Sequence, residues 1–271
     1  MNSQSQFPGN IAANNKEYRL CECTDRSILN DEVISLDFAW DGPEPKAGQF
    51  FLLRPLRSSV FLGRPLSVAG WLSQKSKVHS GTLRFILAIR GRGTKELSDI
   101  RPGEKAFLTG PLGRGWAEVS GTMPGKIALV SGGVGIAPLI CFAEELSATD
   151  STAQEHVDFY AGFRSKSYSL ENIKVNKKII ASEDGSEGQK GRIPDFFVPD
   201  AYSLVYSCGP EPMLKTIAEK CRAAGVKCFI SLERHMACGT GACLGCTVET
   251  GNGNKRCCSD GPIFNAEDIF A

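Results

Sequence analysis

The chain has 271 residues with 31 basic and 30 acidic side chains, which leaves a net charge of +1. This near balance argues against a nucleic acid or an anionic membrane surface as the main partner. No apolar run approaches the roughly 18 residues that a membrane-spanning helix needs, so we expect no membrane insertion. Eleven cysteines without an N-terminal secretory signal predict reduced thiols in the cytoplasm.

The first part of the chain predicts an arm followed by a small antiparallel β-barrel. Residues 1–15 are polar and aperiodic, which is typical of a flexible N-terminal arm. Between residues 16 and 122, short apolar strands at 33–38, 49–54 and 83–89 alternate with turns that contain glycine or proline. Several short strands separated by such turns indicate a barrel domain.

The pattern changes at residue 123, where apolar strands begin to alternate with helical segments. Strand patterns start at residues 127, 157, 178 and 203, and helical patterns follow the first and the last of them. Such alternation predicts a parallel sheet that is covered by helices on both faces. We therefore expect an α/β domain over residues 123–232 and a small C-terminal subdomain over residues 233–271.

The C-terminal subdomain holds the strongest chemical signal in the sequence. Cys238, Cys243 and Cys246 have the spacing C-x4-C-x2-C, and the adjacent Cys257 and Cys258 follow shortly downstream. This is the plant-type spacing of a 2Fe–2S cluster, which needs four thiolates around two irons. Glycines between the cysteines let the backbone wrap closely and direct amide groups at anionic sulfur.

Two other uses of these cysteines compete with the iron–sulfur interpretation. A structural zinc site usually has two C-x2-C pairs, and only Cys243 and Cys246 form one here. Disulfides need an oxidising compartment, of which the sequence gives no sign. The spacing therefore favours the iron–sulfur cluster, with zinc as the remaining alternative.

Two short motifs in the barrel segment are suited to a phosphate-bearing cofactor. Arg64 begins the string R-P-L-S, and its guanidinium can neutralise a phosphate while the Ser67 hydroxyl bonds a flavin ring. Gly93 and Thr94 lie where a strand meets a helical turn, and free amides at a helix start bind anions. Each string is also compatible with an ordinary turn or a barrel corner.

Two further motifs lie at the expected carboxyl ends of parallel strands. The string S-G-G-V-G-I-A-P, which ends at Pro138, joins a buried strand to a helix and fits a phosphate cradle. It lacks the G-x-G-x-x-G fingerprint of an ordinary dinucleotide site. Cys208, in the string C-G-P, ends the next clear strand, where a small thiol can approach a nicotinamide ring or be a buried residue.

In this order the motifs resemble the ferredoxin reductase-type flavoprotein family over about residues 16–232. With the tail E-R-x-M-A-C-G-x-G-A-C-x-G-C and C-x-D-G-P-I-F, the chain resembles the electron-transfer subunit of NAD-dependent (class 1B) dihydroorotate dehydrogenase. Relative to that family, residues 71–80 look like a short insertion.

The resemblance implies three sets of cofactor residues. Those that hold FAD are Arg64, Pro65, Leu66, Ser67, Ile86, Leu87, Ala88, Gly93 and Thr94. Those that face NAD are Gly132, Gly133, Gly135, Pro138, Cys208, Gly209 and Pro210. The cluster ligands are Cys238, Cys243, Cys246 and, by alignment with C-x-D-G-P, Cys258.

The resemblance also implies an oxidoreductase subunit with a partner. That partner is an FMN-containing catalytic subunit that oxidises dihydroorotate in pyrimidine biosynthesis, with two copies of each subunit. The sequence has no nucleophile–base motif such as G-x-S-x-G, so we expect no catalytic side chain, because the flavin itself supplies the hydride chemistry. The alternatives are a similar subunit of a ferredoxin–NADP oxidoreductase or hydrogenase, and a zinc-holding scaffold without electron transfer.

Overall fold

The computed structural model describes residues 16–73, 80–121, 125–149 and 152–270. The predicted N-terminal arm lies outside the described residues, as does most of the segment that resembles an insertion.

An antiparallel barrel forms the first half of the described chain, as the sequence predicts. Its elements are β1 (Glu17–Ile28), β2 (Val33–Trp40), β3 (Phe50–Pro55), β4 (Arg64–Ser73), β5 (Gly81–Ala88), α1 (Arg92–Ser98) and β6 (Lys105–Leu112). Among the described residues, six strands close the barrel in the order β1-β2-β5-β4-β3-β6. Its centre is aromatic, because the Phe51 ring meets Trp40 edge-on at 5.0 Å and Phe85 at 5.8 Å.

A mostly parallel sheet forms the second half. Its elements are α2 (Trp116–Ser120), β7 (Ile127–Gly132), α3 (Ile136–Thr149), α4 (Ala153–His156), β8 (Val157–Phe163), β9 (Lys177–Ser182), β10 (Gln189–Lys190), β11 (Leu204–Cys208), α5 (Glu211–Ala223) and β12 (Lys227–Ser231). The C-terminal segment adds β13 (Thr247–Val248), β14 (Lys255–Arg256), β15 (Ile263–Asn265) and α6 (Ala266–Ile269). Within the described residues the sheet order is β10-β9-β8-β7-β11-β12-β15.

The sequence predicts a parallel sheet, but the last strand of this sheet is antiparallel to its neighbour. β15 comes from the C-terminal segment and pairs antiparallel with β12, with Ile263 opposite Ser231. A strand of three residues has too little periodicity to be recognised in the sequence. The C-terminal segment is therefore joined to the α/β domain through a shared sheet.

Barrel and sheet are in direct contact along α3. The Ala47 amide donates a hydrogen bond to the Glu145 carboxylate at 2.8 Å, and the Trp116 indole N–H donates to the Pro138 carbonyl at 3.2 Å. Trp116 is completely buried and its ring packs on that of Phe142. These contacts join α3 to the barrel at Ala47 and to α2, the helix that follows the barrel.

Candidate cofactor and cluster sites

A cavity of about 640 Å³ lies between the barrel and the carboxyl edge of the sheet. Ala88 lines it from the barrel, and Gly132, Gly133 and Pro210 line it from the sheet. Open α/β sheets bind their ligands at this edge of the strands. Four of the residues expected to contact cofactors thus line one cavity.

The two turns predicted to face NAD pack directly on each other. β7 and β11 are neighbours, with Ser131 opposite Cys208, so the turns that follow them meet. A Cβ on Gly135 would lie 2.4 Å from the Cys208 carbonyl oxygen, and one on Gly132 would lie 2.9 Å from the Pro210 ring. Only glycine allows this close approach.

Two of the expected NAD residues lie behind the cavity. Pro138 is buried in the first turn of α3 and its carbonyl accepts the hydrogen bond from Trp116. The side chain of Cys208 is also buried, and burial raises the pKa of its thiol. Both residues support the turns that form the wall.

The sequence analysis missed the basic groups of this cavity. Arg90, Arg164, Lys166 and Arg192 line it, together with an equal number of carboxylates. Arg164 and Glu32 form an ion pair at 3.7 Å between the α/β domain and the barrel. The string R-S-K directly after β8 is a signal that could have indicated the basic groups, because loops at this edge face the ligand.

Glu233 is a further neighbour of the expected NAD turns that the sequence analysis did not identify. Burial raises the pKa of its carboxyl, and the positive charge of Arg90 partly offsets that rise. The negative charge of Glu233 also contributes, after burial, to the raised pKa of the Cys208 thiol. Glu233, Arg90 and Cys208 are therefore close enough to influence one another electrostatically.

The two barrel motifs are brought together by Arg64. A Cβ on Gly93 would lie 3.0 Å from Arg64 Cδ and 3.3 Å from Cζ, so the guanidinium lies on the Gly93 backbone. Arg64 Nη2 donates to the Leu62 carbonyl at 3.0 Å. Arg64 Nε is buried and has no hydrogen-bond partner among the described residues. An unsatisfied buried donor of this kind is suited to an anionic oxygen.

The other residues expected to contact FAD have mixed surroundings. Thr94 Oγ1 accepts hydrogen bonds from the Arg90 and Gly91 amides at 2.9 and 3.1 Å, which closes the start of α1. Ile86 and Leu87 are buried at 4% and 1% exposure, whereas Ala88 lines the cavity. Three half-buried residues continue along β4 after Arg64, namely Pro65, Leu66 and Ser67.

The four expected cluster ligands form two pairs of thiols. Cys238 and Cys243 make one pair, in which the Cys243 amide donates to the Cys238 sulfur at 3.4 Å. Cys246 and Cys258 make the other, in which the Cys258 amide donates to the Cys246 sulfur at 3.4 Å. Among the described residues, no three His, Cys, Asp or Glu side chains form a group suited to a single ion. Two pairs are what two irons with two thiolates each require.

Backbone amides of the loop also point at the sulfurs. The Thr240 amide donates to Cys238 Sγ at 3.4 Å, and the Gly241 amide donates to Cys258 Sγ at 3.1 Å. Burial tends to raise the pKa of the Cys238 thiol, but the hydrogen bonds from Thr240 and Cys243 outweigh it and lower that pKa to about 5. A lowered pKa favours the thiolate, which is the form that binds metal.

The adjacent Cys257 and Cys258 point in opposite directions. Cys258 Sγ accepts from the cluster loop, whereas Cys257 Sγ donates to the Leu232 carbonyl at 3.2 Å. Burial raises the pKa of both thiols to about 12, so the direction of the side chain, and not its acidity, distinguishes the two residues. This orientation agrees with the alignment, which favours Cys258 as the fourth ligand.

The two thiol pairs differ in exposure. Cys243 is exposed and Cys238 is half-buried, while Cys246 and Cys258 are buried. Beside the first pair the loop packs on the barrel, because a Cβ on Gly239, the residue after Cys238, would lie 2.9 Å from the Leu52 side chain of β3. β3 pairs with β4, with Leu53 opposite Arg64, so one strand separates the cluster loop from the flavin motif.

No helix in the described ranges is long and apolar enough to span a membrane.

Solved structures with the same architecture define the class of protein. The chain has a TM-score of 0.78 to a chain of the NADH-dependent reduced ferredoxin–NADP oxidoreductase, at 27% identity and with 93% of this chain and 90% of that chain covered. It also has a TM-score of 0.64 to the ferredoxin reductase of carbazole 1,9a-dioxygenase, at 19% identity and with coverages of 80% and 68%. The fold is therefore that of the ferredoxin reductase-type flavoproteins.

Sequence relatives narrow this class to one family. Residues 233–270 match the iron–sulfur cluster binding domain of dihydroorotate dehydrogenase B. The electron transfer subunit of dihydroorotate dehydrogenase B (NAD(+)) from Clostridium perfringens is 39% identical, with 82% of this chain and 86% of the relative covered. The subunit of that name from Caldanaerobacter subterraneus is 36% identical, with coverages of 89% and 94%. The chain belongs to this family of oxidoreductase subunits, and the expected cofactors, FAD, an iron–sulfur cluster and NAD, agree with it.

Proposed function

We propose that this protein carries electrons from an FMN-containing dihydroorotate dehydrogenase catalytic subunit to NAD⁺ in pyrimidine biosynthesis. The observation that carries the proposal is the loop that holds four thiols in two pairs. This loop packs on β3 of the barrel, and β3 pairs with β4, the strand that begins at Arg64. An iron–sulfur site and a flavin site that adjoin in this way suit one electron path. When bound, FAD exchanges a hydride with nicotinamide and passes electrons singly, as a cluster requires.

The barrel residues fit FAD. Arg64 has a buried Nε without a partner among the described residues, and its guanidinium lies on Gly93, where an added Cβ would be 3.0 Å from Arg64 Cδ. We assign the pyrophosphate to Arg64 and to the amides near Gly93 and Thr94. We assign the flavin ring to the segment from Pro65 to Ser67 and to the end of β5, which comprises Ile86, Leu87 and Ala88.

The cleft residues fit a nicotinamide nucleotide. Gly132, Gly133 and Pro210 supply a backbone wall without bulky side chains, which lets a ring and a phosphate approach closely. Gly135, Pro138, Cys208 and Gly209 hold that wall in position. The basic groups nearby, such as Arg164 and Lys166, can neutralise the phosphates of the nucleotide.

The cluster ligands in this proposal are Cys238, Cys243, Cys246 and Cys258. Because Cys243 is exposed, we assign the surface around the first pair to the partner. The partner is the FMN-containing catalytic subunit, in a complex with two copies of each chain. All eleven cysteines are free, which suits the reducing cytoplasm.

The proposal is tested by reconstitution with the FMN-containing catalytic subunit from the same source. The complex is expected to form NADH from dihydroorotate and NAD⁺, whereas the catalytic subunit alone is not. A complex with Cys258→Ser is the matched control, and it should lose this turnover. A purified chain without flavin or cluster absorbance, or a complex that forms no NADH, would contradict the proposal.

A second candidate is the corresponding subunit of an NADH-linked ferredoxin–NADP oxidoreductase. Its support is the solved chain from that enzyme, whose TM-score to this chain is 0.78. Two measurements separate the candidates: the identity of the protein that co-purifies with the chain, and ferredoxin-dependent oxidation of NADPH. Ferredoxin-linked activity without dihydroorotate oxidation would favour this second function.

A further inference from the structure

The hydroxyl of Ser259 is a buried polar group beside the cluster loop that neither the fold nor the proposed ligands use. Ser259 directly follows Cys258 in the chain. Its Oγ is closed to solvent and has no hydrogen-bond partner among the described residues. Leaving a buried hydroxyl without a partner is unfavourable, so an acceptor is expected at this position.

The surroundings of this hydroxyl indicate where the acceptor lies. A Cβ on Gly241 would be 2.7 Å from Ser259 Oγ, so the hydroxyl touches the backbone of the cluster loop. The amide of that same Gly241 donates to Cys258 Sγ at 3.1 Å. Gly241 has a φ of +85°, a backbone conformation that glycine adopts readily and other residues rarely adopt. A glycine at this position therefore allows the close contact with Ser259.

Ser259 lies beside Gly241 and directly follows Cys258, so its hydroxyl is next to the pair of thiols that Cys246 and Cys258 form.

We propose that Ser259 Oγ–H donates a hydrogen bond to a sulfur of the cluster held by the four cysteines, and that this bond raises the reduction potential of the cluster. The inference rests on the proposed cluster site. Reduction adds one electron and therefore negative charge to the sulfurs, so a donor stabilises the reduced form more than the oxidised form. The hydroxyl keeps its proton, and no other group is oxidised or reduced.

The test is a potentiometric titration of the whole FAD-loaded protein, followed by electron paramagnetic resonance of the cluster. Ser259→Ala is expected to shift the reduction equilibrium about tenfold toward the oxidised form, which is about 59 mV for a one-electron couple. Ser259→Thr keeps the hydroxyl and should retain the wild-type potential. Ser147→Ala is the matched control, because that hydroxyl bonds the Ala143 carbonyl within α3.

Four outcomes decide the inference. An unchanged potential in Ser259→Ala with an intact signal would overturn it, and so would an equal fall in the Ala and Thr variants. If Ser259→Ala does not assemble the cluster, Ser259→Gly takes its place. If both Ser259→Ala and Ser259→Gly lose the cluster while Ser259→Thr keeps it, the hydroxyl is needed for cluster assembly. That result would overturn the proposed effect on the reduction potential. A wild-type protein without any cluster signal would instead refute the proposed function.

Discussion

Cys257 and Cys258 are neighbours in the chain but have different chemical surroundings. Cys258 accepts a hydrogen bond from the Gly241 amide and lies beside Cys246, while Cys257 faces the Leu232 carbonyl. A ligand needs its sulfur directed at the site and stabilised as a thiolate. Only Cys258 of the two meets the first condition.

Cys258→Ser is expected to abolish the cluster signal in electron paramagnetic resonance, because it removes one of the four thiolates. FAD should remain bound, since Arg64 and Gly93 are in the barrel. Cys257→Ser is the matched variant and should keep the signal, because a serine hydroxyl can still donate to the Leu232 carbonyl. Iron content and flavin absorbance are measured on both proteins, and the reverse result would assign the fourth ligand to Cys257.

Arg64→Ala is expected to weaken FAD binding about tenfold to a hundredfold. A hydrogen bond to a charged group contributes roughly 1.5–3 kcal/mol, and each 1.4 kcal/mol corresponds to about a factor of ten. Flavin retention after dilution and gel filtration gives the readout. Arg54→Ala is the control, because the Arg54 guanidinium lies 4.9 Å from the Phe107 ring on the neighbouring strand and has no assigned phosphate. Full FAD occupancy in Arg64→Ala would refute the placement of the pyrophosphate.

At the scale of elements, the cluster loop presents an apolar side chain to solvent. Leu244 is 59% exposed and has a φ of +58°, which is unusual for a branched side chain. Ala242 and Cys243 beside it are exposed as well, whereas Met236 is buried. Exposed apolar groups on a loop that must exchange electrons suit a surface covered by a partner subunit.

Leu244→Asp is expected to weaken association with the catalytic subunit roughly tenfold or more. Burial of a leucine side chain is worth about 1.5–3 kcal/mol, and aspartate tolerates the left-handed backbone conformation. Dihydroorotate-to-NAD turnover should slow, while NADH-driven reduction of a small dye continues. Leu72→Asp is the control, because Leu72 has a similar exposure of 55% on β4. If Leu244→Asp instead loses the cluster with association intact, the docking surface lies elsewhere.

For the whole molecule, the C-terminal segment connects barrel and sheet. Ile263 pairs with Ser231 of the sheet. Its side chain also packs on Gly48 of the barrel, where an added Cβ would be 2.6 Å from Ile263 Cδ1. The Arg114 amide donates to the Gly261 carbonyl at 2.8 Å, which adds a backbone contact between the two parts. The flavin and cluster segments are therefore expected to unfold together.

Ile263→Ala is expected to lower the free energy of unfolding by about 2–5 kcal/mol, since Ile263 is 1% exposed and its removal leaves a cavity. Denaturant unfolding followed by flavin fluorescence and by cluster absorbance should shift to the same midpoint. Ile28→Ala is the control, because Ile28 is 68% exposed on β1 and should change stability by less than about 0.5 kcal/mol. Two separate transitions would show that the segments unfold independently.

Features that depend on local pattern could be predicted from the amino-acid sequence. The C-x4-C-x2-C spacing predicts the cluster because the ligands lie within one short loop. The change from barrel to α/β domain follows from the spacing of apolar residues, and the structure has both in the expected order. The glycine turn that ends at Pro138 was recognisable because it lies between a strand and a helix.

Features that depend on residues far apart in the chain could be identified only from the three-dimensional structure. The direction of Cys258, the pairing of β15 with β12 and the contact between Arg64 and Gly93 each depend on long-range packing. The charged wall of the cleft, with Arg90 and Arg164, also forms only when the barrel meets the sheet. Spacing along the chain does not encode these contacts, because the side chains involved are brought together by the closed barrel and the shared sheet.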